Sequence, residues 1–455
     1  MAWFGLVLLA LIAAGLVFTG LPAFVVLIAV SILGAAVGLW VPSVPVDLLT
    51  ALPGRLVGLL ETDLLQALPL FVLMGALLDR LRVIDALFSA ATALFRRGAA
   101  APLVSGMALG AVMGPMNGSV GASVMALSRA VAPRLAASGV PPPARHAAIA
   151  VASTFGVVIP PSLVLILLGD AMLSAHTIAL NATGRHDRIM NTQDLFHGAL
   201  GPGLAFVALS LGVAWWIGRR ATRRVSADER FAPAEPMSGR AAALAAMTLA
   251  FLVALLAGVA LGYFYAVEAA AMGASVLLVA GVATGRLRGE ALGAVLRDVM
   301  ATSGALFALL IGATTLTLML RIYGSDALVA GWITGMPGDE RGVVAAVLGC
   351  IGLAAFVLDA FEIIFVIVPI VVPPLLIRAP DAVWVAVLVL LSLQASFLLP
   401  PFGYALMMAR SAMKESVSLA SVLRELTPFL AVQAVVLLAV FLFPALVHFG
   451  GYAGL

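Results

Sequence analysis

The first forty residues, Met1 to Trp40, contain no charged side chain. Inside lipid, a run of this kind satisfies its backbone N–H and C=O groups only as a helix or as part of a closed barrel. A barrel would show segments of about ten residues with alternating polarity, and the sequence has none. At roughly 20 apolar residues per crossing, Met1–Trp40 predicts two helices. The run lacks the basic start of a cleavable leader, so both are expected to be retained. The remainder continues in kind: 63% of the 455 residues are hydrophobic and 10% are charged, where a soluble domain has about a quarter charged. The fold class expected is an all-α polytopic membrane protein. The single cysteine, Cys350, leaves no disulfide framework and no cysteine metal site.

The apolar runs predict spans near 3–18, 20–40, 64–79, 144–173, 196–217, 240–262, 264–284, 303–320, 382–409 and 425–447. Two further runs, about 102–131 and about 342–375, are interrupted near their middles and read as re-entrant hairpins. Lys and Arg concentrate in short cytoplasmic loops, which orients the set. With the basic linker 217–240 in the cytoplasm, 19 of the 25 basic residues fall inside. Six fall outside: Arg55, Arg185, Arg188, Arg321, Arg341 and Arg378. Both termini are then expected on the periplasmic side.

The halves share punctuation. Pro133 lies 27 residues before Pro160, and Pro373 lies 27 before Pro400; each later proline opens a Pro-Pro pair inside an apolar run. Asn117 precedes its pair by 43 residues and Asp359 by 41. Two repeats are expected, 1–175 and 240–415, each ordered as spans, connector, span, hairpin and broken helix. Between them lie an outer loop, a linking span and the linker (176–239), and a last span follows (416–455). One linking span turns the second repeat upside down, the usual arrangement of secondary transporters.

Three places interrupt the apolar runs with chemistry. Gly114–Ser128 (GPMNGSVGASVMALS) puts helix breakers and the oxygens of Asn117, Ser119 and Ser123 at depth, where irregular backbone lines a wet cavity; its small residues serve close helix packing equally well. Ser153–Ser162 (STFGVVIPPS) and Gln394–Gly403 (QASFLLPPFG) each carry a Pro-Pro pair that exposes preceding carbonyls, either as cation ligands or as a plain kink. Asp359 and Glu362 (FVLDAFEIIFVIVP) are acids at a cost of about 2.5–3.5 kcal/mol for Asp on insertion scales; they face a cation or cap a helix. Thr314 and Thr315 fit helix packing better than ligation. His176, His186 and His197, spaced ten and eleven apart, read as a solvated outer loop rather than a metal site. That loop also holds the glycosylation-type triplet Asn181-Ala182-Thr183. No phosphate loop or dinucleotide fingerprint occurs, so no ATP hydrolysis and no nucleic-acid partner is expected.

These motifs resemble the large membrane subunit, the M-type permease, of tripartite ATP-independent periplasmic (TRAP) transporters. PLFVLMG (Pro69–Gly75), the Asn117-Gly118-Ser119 tip, FGVVIPPS, LDAFEIIFVIVPIVVPP and LLPPFGYAL occur in the family's order across nearly the whole chain. Asn117 stands where many relatives have a small residue or Ser, and the outer loop is longer than usual. The resemblance implies a bacterial inner-membrane protein and an elevator mechanism, in which both hairpins and both broken helices move against a scaffold. It implies a small four-helix membrane subunit, a periplasmic substrate-binding protein and a small organic anion as cargo. Sodium is the implied coupling ion, with no other cofactor. Its sites would lie at Asn117, Gly118, Ser119 and Ser123 with Ser153, Thr154, Gly156 and Pro160, and at Asp359 and Glu362 with Gln394, Ser396, Pro400 and Gly403. Thr314 and Thr315 are secondary candidates. A binding-protein-independent elevator transporter for anions is the alternative. An intramembrane hydrolase using Ser119 or Ser123 is a remote one, because no His is expected inside a span to act as base.

Overall fold

The computed structural model describes residues 1–40, 50–61, 63–81, 87, 88, 91, 100–116, 119–222, 239–399, 403–413 and 415–448. No strand occurs among them. In chain order the helices are α1 Ala2–Thr19, α2 Ala23–Trp40, α3 Leu52–Leu60, α4 Asp63–Arg80, α5 Ala101–Met113, α6 Val120–Ala130, α7 Ala132–Ala137, α8 Pro142–Val158, α9 Leu163–Thr183 and α10 Thr192–Thr222. There follow α11 Gly239–Ala260, α12 Ala266–Ala283, α13 Glu290–Ile322, α14 Ser325–Thr334, α15 Glu340–Ala354, α16 Val368–Arg378, α17 Ala382–Ser396, α18 Tyr404–Met413 and α19 Leu419–Leu442. One helical turn, Ala360–Glu362, and a π-turn, Ile363–Ile367, lead into α16.

Contacts divide the chain into two compact units, each assembled from separate segments. The first comprises Met1–Gln66, Ile166–Leu195 and Met300–Ser396. Gly20, with φ 63°, turns the chain between α1 and α2 in the left-handed region open to glycine. Leu8, Leu318, Met319, Ile322 and Tyr323 form a buried cluster. The Tyr323 hydroxyl donates to the Gly34 carbonyl at 2.6 Å, and the Ser325 hydroxyl donates to that of Ala2 at 2.7 Å. Two polar ties thus fix α1 and α2 to the α13–α14 corner. Arg378, at the end of α16, donates to the carbonyls of Thr334, Met336 and Gly338 at 2.8–3.0 Å. It satisfies acceptors left over where α14 ends.

The second unit comprises Ala67–Leu165, Phe196–Val299 and Phe397–Leu455. Its centre is α8, in which every residue from Ala144 to Val158 is buried. A helix enclosed on all sides must be small or apolar all round, and the run of Ala, Val, Ser and Gly meets that need. Helices α5, α6, α18 and α19 pack against it. At its mouth Arg145 pairs with Glu415 at 3.0 Å.

Several boundaries differ from expectation. The run 144–173, expected as one broken span, divides into α8 and a separate 21-residue α9 that continues to Thr183. The outer loop expected at 176–197 shrinks accordingly to residues 184–191. Thr177 and Thr183 turn their hydroxyls back onto the carbonyls of Leu173 and Ala179, which keeps the helix going past polar residues. His176 is therefore a buried helix residue accepting from the Met190 N–H at 3.1 Å, and the Asn181–Thr183 triplet sits in a helical turn. Among the described residues no three His, Cys, Asp or Glu gather as a metal site. The connector expected near 286–300 is largely the start of the 33-residue α13. Nine helices among the described residues are long and apolar enough to cross a bilayer, against ten crossings expected. The 15-residue α17 falls short, whereas Ala360–Arg378, expected as a hairpin arm, meets the length.

The Tyr323–Gly34 bond gives a direct test. Tyr323→Phe removes the donor that ties α13 to α2, which should cost about 0.5–1.5 kcal/mol, the net worth of one hydrogen bond. Thermal unfolding of the purified protein in detergent should show a lowered midpoint; an unchanged one removes the bond from the stabilising contacts.

Candidate functional site

The first hairpin is α5, a 3-10 turn at Gly114–Met116, and α6. Asn117 and Gly118, the expected tip, lie outside the described residues. Ser119 is extended (φ −151°, ψ 153°) and caps α6, its hydroxyl accepting from the Ala122 N–H at 3.1 Å. Ser123 donates to the Ser119 carbonyl at 3.2 Å. Both serines thus shape the start of the second arm.

Facing this turn is the end of α8. Ile159 leaves the helical region (φ −99°, ψ 119°), and Pro160 and Pro161 have no N–H to offer the carbonyls of Gly156 and Val157 four residues back. The Ser162 hydroxyl contacts the Val157 carbonyl at 3.4 Å and accepts from the Leu165 N–H at 3.2 Å, opening α9. Ser153 and Thr154 donate to the carbonyls of Ile149 and Val151 at 2.7 and 2.8 Å.

The two breaks meet through glycine. A Cβ on Gly114 would lie 2.7 Å from the Gly156 nitrogen, and one on Gly156 would collide with the Gly114 carbonyl. Between them is a cavity of about 10 Å3, lined by Gly114, Ser119, Ser153, Gly156, Val157 and Ser162. That is room for about one water-sized occupant. Its lining offers serine hydroxyls and peptide carbonyls, the hard oxygen donors that suit alkali and alkaline-earth cations. The C-terminal end of α8 adds the negative pole of a helix. Ser162, outside the expected site set, belongs to this lining. Its signal was a capping serine placed directly after Pro-Pro at a helix start.

The second hairpin, in the other unit, is α15, a turn, and the segment Ala360–Arg378. Asp359 and Glu362 form a reciprocal cap: the Asp359 carboxylate accepts from the Ala360 N–H at 2.7 Å, and that of Glu362 from the Asp359 N–H at 3.0 Å. The capping role left open by the sequence is therefore present. Directly after it the chain makes the π-turn, with the Val368 N–H reaching back to Ile363; such turns recur at functional sites, and no residue pattern announced this one. The Ala360–Glu362 turn packs against α17, which carries buried Gln394 and, at its end, Ser396, whose hydroxyl returns to the Leu393 carbonyl at 2.7 Å.

The described flanks of the second break are tied to each other, the Gly403 N–H donating to the Leu399 carbonyl at 2.9 Å and that of Ala405 to the Phe397 carbonyl at 3.0 Å. Pro400 lies outside the described residues, and Gly403 belongs to the unit of the first hairpin. A Cβ on Gly403 would meet the carbonyls of Leu398 and Leu399 at 3.0 Å. Beyond it α18 packs on α6 and α8, with the Tyr404 hydroxyl against Gly121. Thr315 donates to the Ile311 carbonyl at 2.7 Å, and the Thr314 carbonyl accepts from Thr317. Both bonds lie within α13.

The Gly114–Gly156 contact leaves no space for a methyl. Gly156→Ala should destabilise the purified protein by about 1–3 kcal/mol, the range for overpacking, read as a lower unfolding midpoint in detergent, whereas Gly212→Ala, a site with open space around it, should leave the midpoint unchanged or raise it.

A profile of the family described as tripartite ATP-independent periplasmic transporter, DctM component, matches residues 8–446. Among solved structures, the crystal structure of the Alcanivorax borkumensis YdaH transporter aligns with a TM-score of 0.62 and 16% sequence identity, over 88% of each chain. At that identity the likeness is one of fold. No curated protein sequence is significantly similar.

Proposed function

The chain belongs to the DctM component family of tripartite ATP-independent periplasmic transporters, and from that premise we propose that it carries a small organic acid inward, driven by sodium. Family membership makes it the large permease of a secondary transporter, not an enzyme. The observation that carries the sodium reading is the cavity between Gly114–Ser119 and Ser153–Ser162. It has the size of one ion, and Ser119, Ser153 and Ser162 stand among otherwise apolar lining residues as neutral oxygen donors, so a cation there would gain ligands without a buried counter-charge.

Several finer features go with this reading. The organic anion is delivered by a periplasmic binding protein, and a small membrane subunit completes the permease in the bacterial inner membrane. The halves are inverted repeats, and the hairpins move with their broken helices in an elevator cycle. Both repeats keep the element order helix, hairpin, broken helix, which supports the duplication. A second ion would sit beside the Asp359 cap and α17. The orientation puts both termini outside and the linker 217–240 inside. At the linker end of α10, Arg219 and Arg220 stack on Trp215 and Trp216 at 4.6 and 3.5 Å, an arrangement suited to the membrane–water interface.

Uptake into proteoliposomes under a sodium gradient tests the coupling. Ser119→Ala should weaken the apparent sodium affinity about tenfold, the equivalent of about 1.4 kcal/mol of ligation. Asp359→Asn, which keeps a capping oxygen, should leave the fold intact and lower sodium-driven uptake. Wild-type uptake indifferent to sodium sinks the coupling, and uptake needing no binding protein favours the stand-alone anion transporter. Orientation is checked in a Cys350→Ser background, since Cys350 is exposed. Cysteine at Asp187 should react with an impermeant reagent from outside and cysteine at Arg223 should not.

A further inference from the structure

A second cavity, of about 220 Å3, lies within the unit that contains α13 to α17. Its lining includes Arg55, Thr317, Arg321, Asp326, Ile370 and Pro373. It is smaller than the roughly 300–1,000 Å3 typical of drug-sized pockets, which suits a small metabolite. Its charges do not cancel. Asp326 stands 4.0 Å from Arg321, at the long limit of an ion pair, with both side chains nearly half exposed. Arg55, on α3, has neither an ion pair nor a hydrogen bond among the described residues. Burial first, and the like charge of Arg321 second, hold the Arg55 pKa below an ordinary guanidinium's. Two arginines therefore share a partly desolvated space with one acid. A planar guanidinium there recognises a carboxylate through paired N–H donors.

The facing wall supplies the opposite chemistry. Pro373 and Pro374 lie inside α16 and also line the cavity. Lacking N–H groups, they leave the carbonyls of Pro369 and Ile370 without the usual helical donor. Those oxygens are acceptors for a ligand hydroxyl. Both arginines are also among the six basic residues that the charge count places outside.

We propose that this cavity binds a small hydroxycarboxylate, its carboxylate between Arg55 and Arg321 and its hydroxyl donated to the Pro369 or Ile370 carbonyl. It is a first station for the transported acid, a role that rests on the organic-acid reading above, although the binding itself does not. The test is arginine labelling with phenylglyoxal on the purified full chain in detergent, read residue by residue by mass spectrometry. Malate should slow labelling of Arg55 and Arg321 about tenfold at ten times its dissociation constant, and succinate, which lacks the hydroxyl, should slow it less. Exposed Arg341 is the control and should label at one rate throughout. In Arg55→Gln, malate should no longer protect Arg321. No protection, equal protection by both acids, or the same slowing at Arg341 overturns the proposal. Labelling needs no sodium gradient and no partner. Sodium-independent uptake with intact protection would remove the coupling and leave this site, and unprotected arginines with sodium-driven uptake would do the reverse.

Discussion

Everything distinctive in this chain follows from the cost of an unpaired peptide group in a medium without water. A transmembrane helix pairs its N–H and C=O groups internally, and a Pro-Pro pair removes two donors from that ladder at once. Pro160 and Pro161 therefore force a settlement around Gly156 and Val157. Part of it is supplied by Ser162, which touches the Val157 carbonyl and caps α9. Beside it is a cavity of about 10 Å3 lined by residues of this break and of the turn of the first hairpin. The approach of Gly114 to Gly156 is what keeps that cavity small. Polar backbone at depth, which would destabilise a simple span, becomes the donor set of a candidate ion site.

The second hairpin meets the same constraint differently. Its break is capped by two acids that satisfy each other's neighbouring N–H groups, Asp359 for Ala360 and Glu362 for Asp359. A carboxylate cap organises the helix start and also carries negative charge, so capping and cation binding are compatible roles for one residue. The π-turn that follows shifts the helix register within Ile363–Ile367 before the prolines of α16. In that helix Pro373 and Pro374 free a second pair of carbonyls, this time beside arginines rather than beside another helix break. One device, proline inside a membrane helix, thus produces a cation-sized cavity in one unit and a mixed-charge cavity in the other.

Much of this was legible in the residues because hydropathy and helix breakers act locally. The uncharged start gave α1 and α2, the Gly-Pro turn falls between α5 and α6, and the Pro160-Pro161 pair falls between α8 and α9. Ser119 from the Gly-Pro stretch and Ser153 and Gly156 from the Pro-Pro stretch line one cavity. What failed was the meaning of polar residues near helix ends. His176 and Thr183 look like loop residues, yet the hydroxyls of Thr177 and Thr183 bond within the helix and the His176 ring accepts from a backbone amide. Hydropathy counts a hydroxyl as polar whether or not it is already paired. The π-turn was invisible for the opposite reason: IIFVI differs in no residue type from the apolar helix around it. The grouping of α18 with the first hairpin, through Tyr404 and Gly121, is a long-range contact that no local pattern encodes.

A site built from peptide oxygens has consequences for which residues matter. Side chains at the first cavity spend their own donors on nearby carbonyls, as Ser153 does on Ile149 and Ser162 on Val157. Their contribution is to hold backbone in place and to present a lone pair. The shape itself depends on positions where a side chain must be missing, Gly114 and Gly156, and on positions where a proton must be missing, Pro160 and Pro161. Residue chemistry at such a site is therefore read through absences. An acid-lined cation site would announce itself by carboxylates and would titrate with pH; the residues lining this cavity include no carboxylate. A change in the Gly114–Gly156 approach alters the dimensions of the cavity, so its shape depends directly on helix packing.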